Sequence, residues 1–104
     1  MEIEEAATAL AKLGHPIRLK IVQFLVQAGD DGLAVGEIQT LLGIPGSTLS
    51  HHISHLVSGG IIRQKRESRV LRCFANYEKV EGLVKLLTNR CCIGVDLTHI
   101  EPVT

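Results

Sequence analysis

Residues 47–76 read STLSHHISHLVSGGIIRQKRESRVLRCFAN, and the fold is decided within this run. Its first half places Leu49, Ile53, Leu56 and Val57 at i, i+4, i+7 and i+8, one stripe of an α-helix. The opposite side carries Thr48, Ser50, His51, Ser54, His55 and Ser58, polar side chains without fixed charge. After Gly59 and Gly60 the chain reads as two strands around KRESR, a hairpin. Just upstream, VGEIQTLLG (35–43) is a short helix bearing Val35, Ile38, Leu41 and Leu42 and closed by Gly43, and IPG (44–46) is the turn that follows. Two short helices across a turn of about three or four residues make a helix-turn-helix. Hydroxyls and imidazoles on the second helix can reach base edges without filling a major groove. The hairpin beyond it is basic: residues 61–75 hold Arg63, Lys65, Arg66, Arg69 and Arg72 against Glu67 alone, five minus one, or +4. Helix-turn-helix followed at once by a basic hairpin reads as a winged helix, with Lys65, Arg66 and Arg69 of the wing as candidates for phosphate or minor-groove contact.

The flanking chain frames this motif. Residues 2–13 are a helix candidate with Ile3, Ala6, Leu10 and Leu13 at spacings of three and four, ended by Gly14. Pro16 is placed to open a second helix, PIRLKIVQFLVQ (16–27), where its missing N–H costs nothing. Ile17, Ile21 and Leu25 form one stripe there and Leu19, Val22 and Val26 a second, so this is the expected buried central helix. AGDDG (28–32) is a loop, and YEKVEGLVKLLTNRCC (77–92) is the expected last helix, with Val80, Leu83, Val84 and Leu87 on one face. Leu86 widens that face beyond what one small core requires. The expected fold is therefore mainly α with a small β-hairpin: a winged helix-turn-helix of about five helices plus a two-stranded wing, pairing as a homodimer through its first and last helices. Residues 1–92 form the domain and 93–104 a C-terminal tail, expected to be disordered.

Composition is consistent with this. The chain has 104 residues, 45% of them apolar, with two Phe, one Tyr and no Trp, so the core must come from Leu, Ile, Val and Ala in packed helices. Net charge is zero, but the acids Glu2, Glu4, Glu5, Asp30, Asp31, Glu37, Asp96 and Glu101 lie outside the basic strip, which leaves a local phosphate contact possible. No apolar run approaches the ~18 residues of a membrane span, and the acidic start MEIEEAATAL is unlike a secretory leader. A cytoplasmic protein with no membrane partner is expected. The lack of a C-x-x-C pair or a nearby general base argues against a thiol oxidoreductase, and no enzymatic activity is expected.

The segments LGHPIRLKIVQFL (13–25) and GLAVGEIQTLLGIPGSTLSHHISHLVSGGIIRQKRESRVLRCFAN (32–76) closely resemble the ArsR/SmtB family of metal-responsive repressors. That resemblance, over about residues 10–92, implies a small homodimeric winged helix that sits on double-stranded operator DNA and leaves it when an ion or another inducer binds. It implies base-reading positions at Ser47, Thr48, Ser50 and His51, with His55 one turn further along facing solvent or phosphate. His52 stands where the family commonly has a histidine; three residues from Leu49, it either touches DNA or braces the helix. Pro45 replaces the family's usual capping serine, which should change only how the helix starts.

No cofactor is expected for DNA binding itself, so the remaining question is the inducer. The family's arsenic site on the first helix of the motif, in a stretch like LCVCDL, is absent: LAVGEI (33–38) has Ala34 and Gly36 in place of both thiols. The zinc site of other members on the last helix is absent too, since Glu78 and Glu81 have no histidine beside them. What remains is Cys91-Cys92. Neighbouring side chains diverge by about 100° on a helix, so the two do not share one core position. A bridge between them is strained, because adjacent Cα atoms lie about 3.8 Å apart and ordinary disulfides need about 4.4 Å. Two thiolates on one soft ion need sulfurs only roughly 3.5–4 Å apart. The ending LTNRCC also resembles a subgroup of ArsR-type arsenic sensors with a vicinal pair at the end of the last helix. The expected inducer is thus trivalent arsenic at Cys91 and Cys92: a methylated arsenical on the pair alone, or arsenite or antimonite with a third donor. Redox or persulfide chemistry at the thiols is an alternative. So is zinc or cadmium, with Asp96 and His99 as harder ligands, and Cys73 reads as a structural strand cysteine.

Overall fold

The computed structural model describes residues 1–99. The last residues of the expected tail, 100–104, lie outside the described residues. Five helices and three strands follow the order α1 (Ile3–Leu13), α2 (Pro16–Ala28), β1 (Leu33–Ala34), α3 (Val35–Leu42), α4 (Gly46–Ser58), β2 (Ile62–Glu67), β3 (Val70–Ala75) and α5 (Tyr77–Thr88). One-turn 3₁₀ segments occupy Gly29–Asp31 and Leu97–His99.

Helix α2 is central, as its two stripes suggest, but only partly. Ile21, Val22 and Leu25 are buried, while Leu19 and Val26 of the second stripe are exposed. Its start combines Pro16 at the first position with His15 as N-cap, whose Nδ1 accepts the Ile17 N–H at 3.1 Å. Around it Ile38 of α3, Leu49 and Leu56 of α4, and Ile61, Ile62 and Cys73 of the wing region are fully buried. Asn76 ties wing to last helix: its backbone N–H donates to Ile61 O at 2.8 Å, its Nδ2 to Gly60 O at 2.9 Å, and its Oδ1 caps α5.

Two features depart from the sequence reading. The hairpin of β2 and β3 is the expected two-stranded wing, but a third strand that the sequence reading missed, β1, pairs antiparallel with β3, giving the order β1-β3-β2 with Cys73 opposite both Leu33 and Gln64. Gly32 makes that entry possible. Its φ is +61°, and a Cβ there would fall 2.3 Å from Cys73 O and 2.7 Å from the Phe74 ring. Second, α5 stops at Thr88, four residues before the expected end. Asn89 leaves helical space (φ −56°, ψ 129°), Arg90 and Cys92 take positive φ, and the Cys91 N–H closes a turn onto Thr88 O at 3.1 Å. Thr, Asn and Cys are weak helix formers, and residues 87–95 are all exposed, so no packing extends the helix.

Candidate nucleic-acid interface and thiol pair

Pro45 supplies the extended residue before α4 and no side-chain cap, so the helix starts at Gly46 with its first N–H groups uncapped. Leu49, His52, Ile53 and Leu56 turn inward. Ser47, Thr48, Ser50 and His51 lie exposed on the other side, with His55 half-buried beside them. Ser50 and Ser54 also line an open cleft of ≈ 410 Å³ between α4 and the wing, together with Val35, Ile53 and Gln64.

His52 has to be moved from the DNA-contact set to the bracing set. It is only 7% exposed, its ring packs 4.5 Å from that of His15, and its Nδ1 accepts the Arg18 Nε–H at 3.0 Å. Arg18 also donates to Lys12 O at 3.2 Å, so one guanidinium holds α1, α2 and α4 together. Burial first, then the charges of His15 and Arg18, hold the His52 pKa below its ordinary value. His55 accepts from Lys12 Nζ at 3.2 Å and is shifted the same way, by desolvation and then by Arg18 and Lys12.

In the wing, the residues opposite one another are Lys65 and Arg72, Arg66 and Leu71. Alternation puts Gln64 and Arg66 on the face toward α4 and Arg63 and Lys65 on the other. The two-residue loop Ser68-Arg69 turns with φ +58° at Ser68. Lys65, Arg66 and Arg69 are exposed. Arg72 is different: it pairs with Glu67 at 3.4 Å and Glu37 at 3.9 Å and donates to Asp31 O at 3.1 Å. It is a strut between the wing and α3, a role no local sequence pattern signals.

Cys91 and Cys92 sit on the exposed turn after α5 as free thiols with their Sγ atoms 2.7 Å apart. The hydrogen bond that Cys91 shares with Cys92 pushes the Cys91 thiol up, with a smaller contribution from desolvation. Among the described residues no third His, Cys, Asp or Glu joins them in a metal-sized group. Cys73 is fully buried on β3, its thiol pushed up by burial against a weaker opposing contact from Gln64 at 3.6 Å. Asp96 Oδ1 accepts from the Thr98 N–H and Oγ1–H at 3.0 and 2.6 Å. The His99 side chain lies outside the described residues. No described helix is long and apolar enough to cross a membrane.

Comparison with known proteins accords with this geometry. A family profile described as a helix-turn-helix domain matches residues 13–65. The transcriptional repressor PagR of Bacillus anthracis is 36% identical over 87 residues, covering 84% of this chain and 85% of PagR. Its crystal structure superposes with a TM-score of 0.68 over 82% of this chain and 94% of that one, at 35% identity. The biofilm growth-associated repressor of Xylella fastidiosa is 32% identical over 88 residues, 85% of this chain and 75% of the relative. The homodimeric winged helix-turn-helix DNA-binding domain of Mb0332 from Mycobacterium bovis, described as a possible ArsR-family regulator, gives a TM-score of 0.69 at 29% identity over 83% of this chain and 77% of that one. The hydroxyl-bearing helix, the basic wing and these relatives lead to one conclusion: the chain belongs to the ArsR family of winged helix-turn-helix DNA-binding transcriptional regulators, which are not enzymes.

Proposed function

We propose that this regulator is a cytoplasmic, homodimeric repressor that leaves its operator when trivalent arsenic binds Cys91 and Cys92. The observation that carries the reading is the position of the two sulfurs, 2.7 Å apart on an exposed turn directly beyond the helix whose outer face presents Val84 and Leu87. Those side chains, 56% and 66% exposed, with Ile3 at 67%, form the apolar surface that a second copy would cover. The dimer would hold two α4 helices about 34 Å apart, one turn of DNA. Ser47, Thr48, Ser50 and His51 would then face base edges, and Lys65, Arg66 and Arg69 phosphates.

The chemistry is ligand exchange without redox change. A methylated arsenous acid carries two hydroxyls; each thiol gives its proton to one, two waters leave, and two As–S bonds form. The sulfurs must part by about 1 Å to straddle an ion of that size. That movement stiffens the turn against the dimer seam and biases the spacing of the two recognition helices, where coupling of about 1–3 kcal/mol is typical. Oxidation or persulfidation of the same pair is the second reading, favoured by the same sulfur separation. Zinc or cadmium gains less support, because the Asp96 carboxylate is held by Thr98.

The test is intact-mass titration under reducing conditions with arsenite, a methylated trivalent arsenical, zinc and cadmium, alongside operator release. Wild type and Cys73→Ser should retain one arsenical per chain and release DNA. Cys91→Ser and Cys92→Ser should do neither. Retention by the serine variants, or operator binding indifferent to arsenical in wild type, would end the arsenic reading. Release on mild peroxide or polysulfide alone would select the redox one.

A further inference from the structure

A helix lying in the major groove has a sugar-phosphate backbone on each side of it, across a groove about 12 Å wide. The wing accounts for one side. Ser50, on the flank toward the wing, and His55 are five residues apart, so their side chains point about 140° from each other around α4. The His55 flank faces not the wing but the corner between α1 and α2. There the Lys12 ammonium, the Arg18 guanidinium and four imidazoles are gathered: Lys12 on His55 at 3.2 Å, Arg18 on His52 at 3.0 Å, and ring centroids 4.6 Å apart for His51 and His55 and 4.5 Å for His15 and His52.

Among the described residues no carboxylate pairs with this cluster. Among the described residues neither Lys12 nor Arg18 forms an ion pair, although the cations Arg72 and Lys79 each do. The groups whose charges act on His52 are His15, Arg18, His51 and His55, and on His55 are Arg18, Lys12 and His51, every one of them basic. An ammonium can only donate, so Nδ1 of His55 must be unprotonated while Lys12 sits on it, and the Arg18 Nε–H imposes the same on His52. The free protein therefore holds two cations and two neutral imidazoles in an arrangement that lacks a counterion.

We infer that Lys12, His15, Arg18 and His55, with His52 bracing Arg18 from beneath, form the second phosphate-binding edge of the recognition helix, and that docked phosphates supply the missing negative charge, so that DNA association takes up protons. The inference rests on the reading that α4 enters the major groove. As a phosphate arrives, Lys12 turns from Nδ1 of His55 to the phosphate oxygen, and the vacated nitrogen takes a proton from solvent. His52 stays neutral beneath Arg18. Proton uptake makes the sign definite: affinity rises as pH falls.

The test uses the full chain and a duplex selected by wild type from a random pool, followed by anisotropy at fixed ionic strength and by calorimetry in two buffers of different ionisation enthalpy. From about pH 7.5 to about pH 6, wild-type affinity should rise roughly three- to tenfold, with net proton uptake. His55→Gln keeps an acceptor for Lys12 but cannot titrate, and should remove most of both effects. Lys12→Gln should reduce the salt slope by ~0.9 per recognition helix, whereas Lys65→Gln in the wing should reduce the slope and leave the pH response intact. Wild-type binding that is independent of pH, a His55→Gln variant that takes up as many protons as wild type, or an unchanged salt slope in Lys12→Gln would each overturn the inference while leaving groove reading in place. Failure of wild type to bind any duplex would instead remove the groove reading beneath it.

Discussion

Arg18 reaches α1 through one nitrogen and α4 through another, 3.2 Å to Lys12 O and 3.0 Å to His52 Nδ1. A lysine cannot make both bonds from one rigid fork. Arg18→Lys should therefore lower stability by about 1–3 kcal/mol in denaturant unfolding, a larger loss than Ser50→Ala, whose exposed hydroxyl should affect DNA affinity alone. The histidines give the pH sign. The pKa values of His52 and His55 are held down in the fold. Their stabilisation is complete above the unfolded value of about 6.5 and is lost as pH falls through the lowered folded values. The melting temperature should drop between about pH 7 and about pH 5, and His52→Gln, already destabilised, should drop less over that interval. At this scale the sequence was ambiguous in one place. The spacing of His52 from Leu49 left two roles open, because the residues that settle it, His15 and Arg18, arrive from a helix more than thirty positions away.

Elements were readable where a periodic pattern ran for two turns or more, as in α4, and unreadable where pairing is short. β1 is two residues long and has no alternation to detect. Its signal is Gly32, one glycine among ten, and only the Cys73 carbonyl shows why it is there. Gly32→Ala should cost about 2 kcal/mol or more, since the new methyl meets backbone and the φ of +61° is unfavourable for it. The wing charge was correct in sum and changed in distribution. Arg72 and Glu67 cancel one another, leaving Arg63, Lys65, Arg66 and Arg69 as the four cations without an ion pair. Arg66→Gln should accordingly flatten the salt dependence of DNA binding by ~0.9 per wing. Arg72→Gln should leave it nearly unchanged and cost about 0–1 kcal/mol of stability, as partly exposed ion pairs do.

For the whole molecule, the outer face of α5 is where a second copy would pack in the proposed dimer. Leu83 turns inward, 4% exposed, and Val84 and Leu87 turn out, so the apolar pattern seen in the sequence divides between the core and an exposed face. Leu87→Glu should shift the protein toward monomer in analytical ultracentrifugation and weaken operator binding, with the fold retained because that side chain is 66% exposed. The end of α5 was not legible. A heptad-like stripe reports where a helix packs and not where solvent lets it fray, and the two thiols lie on that unpacked stretch.

Through β1, the middle strand of the sheet is stitched to the residues that open α3. The hairpin is consequently pinned to α3 along its middle strand, so that wing and reading helix would move as one paddle. In the proposed dimer, guest capture at the far end would then re-aim whole paddles against each other. Amide hydrogen exchange along β3 should keep the same slow rate with the guest present or absent, while the stretch after Thr88 changes.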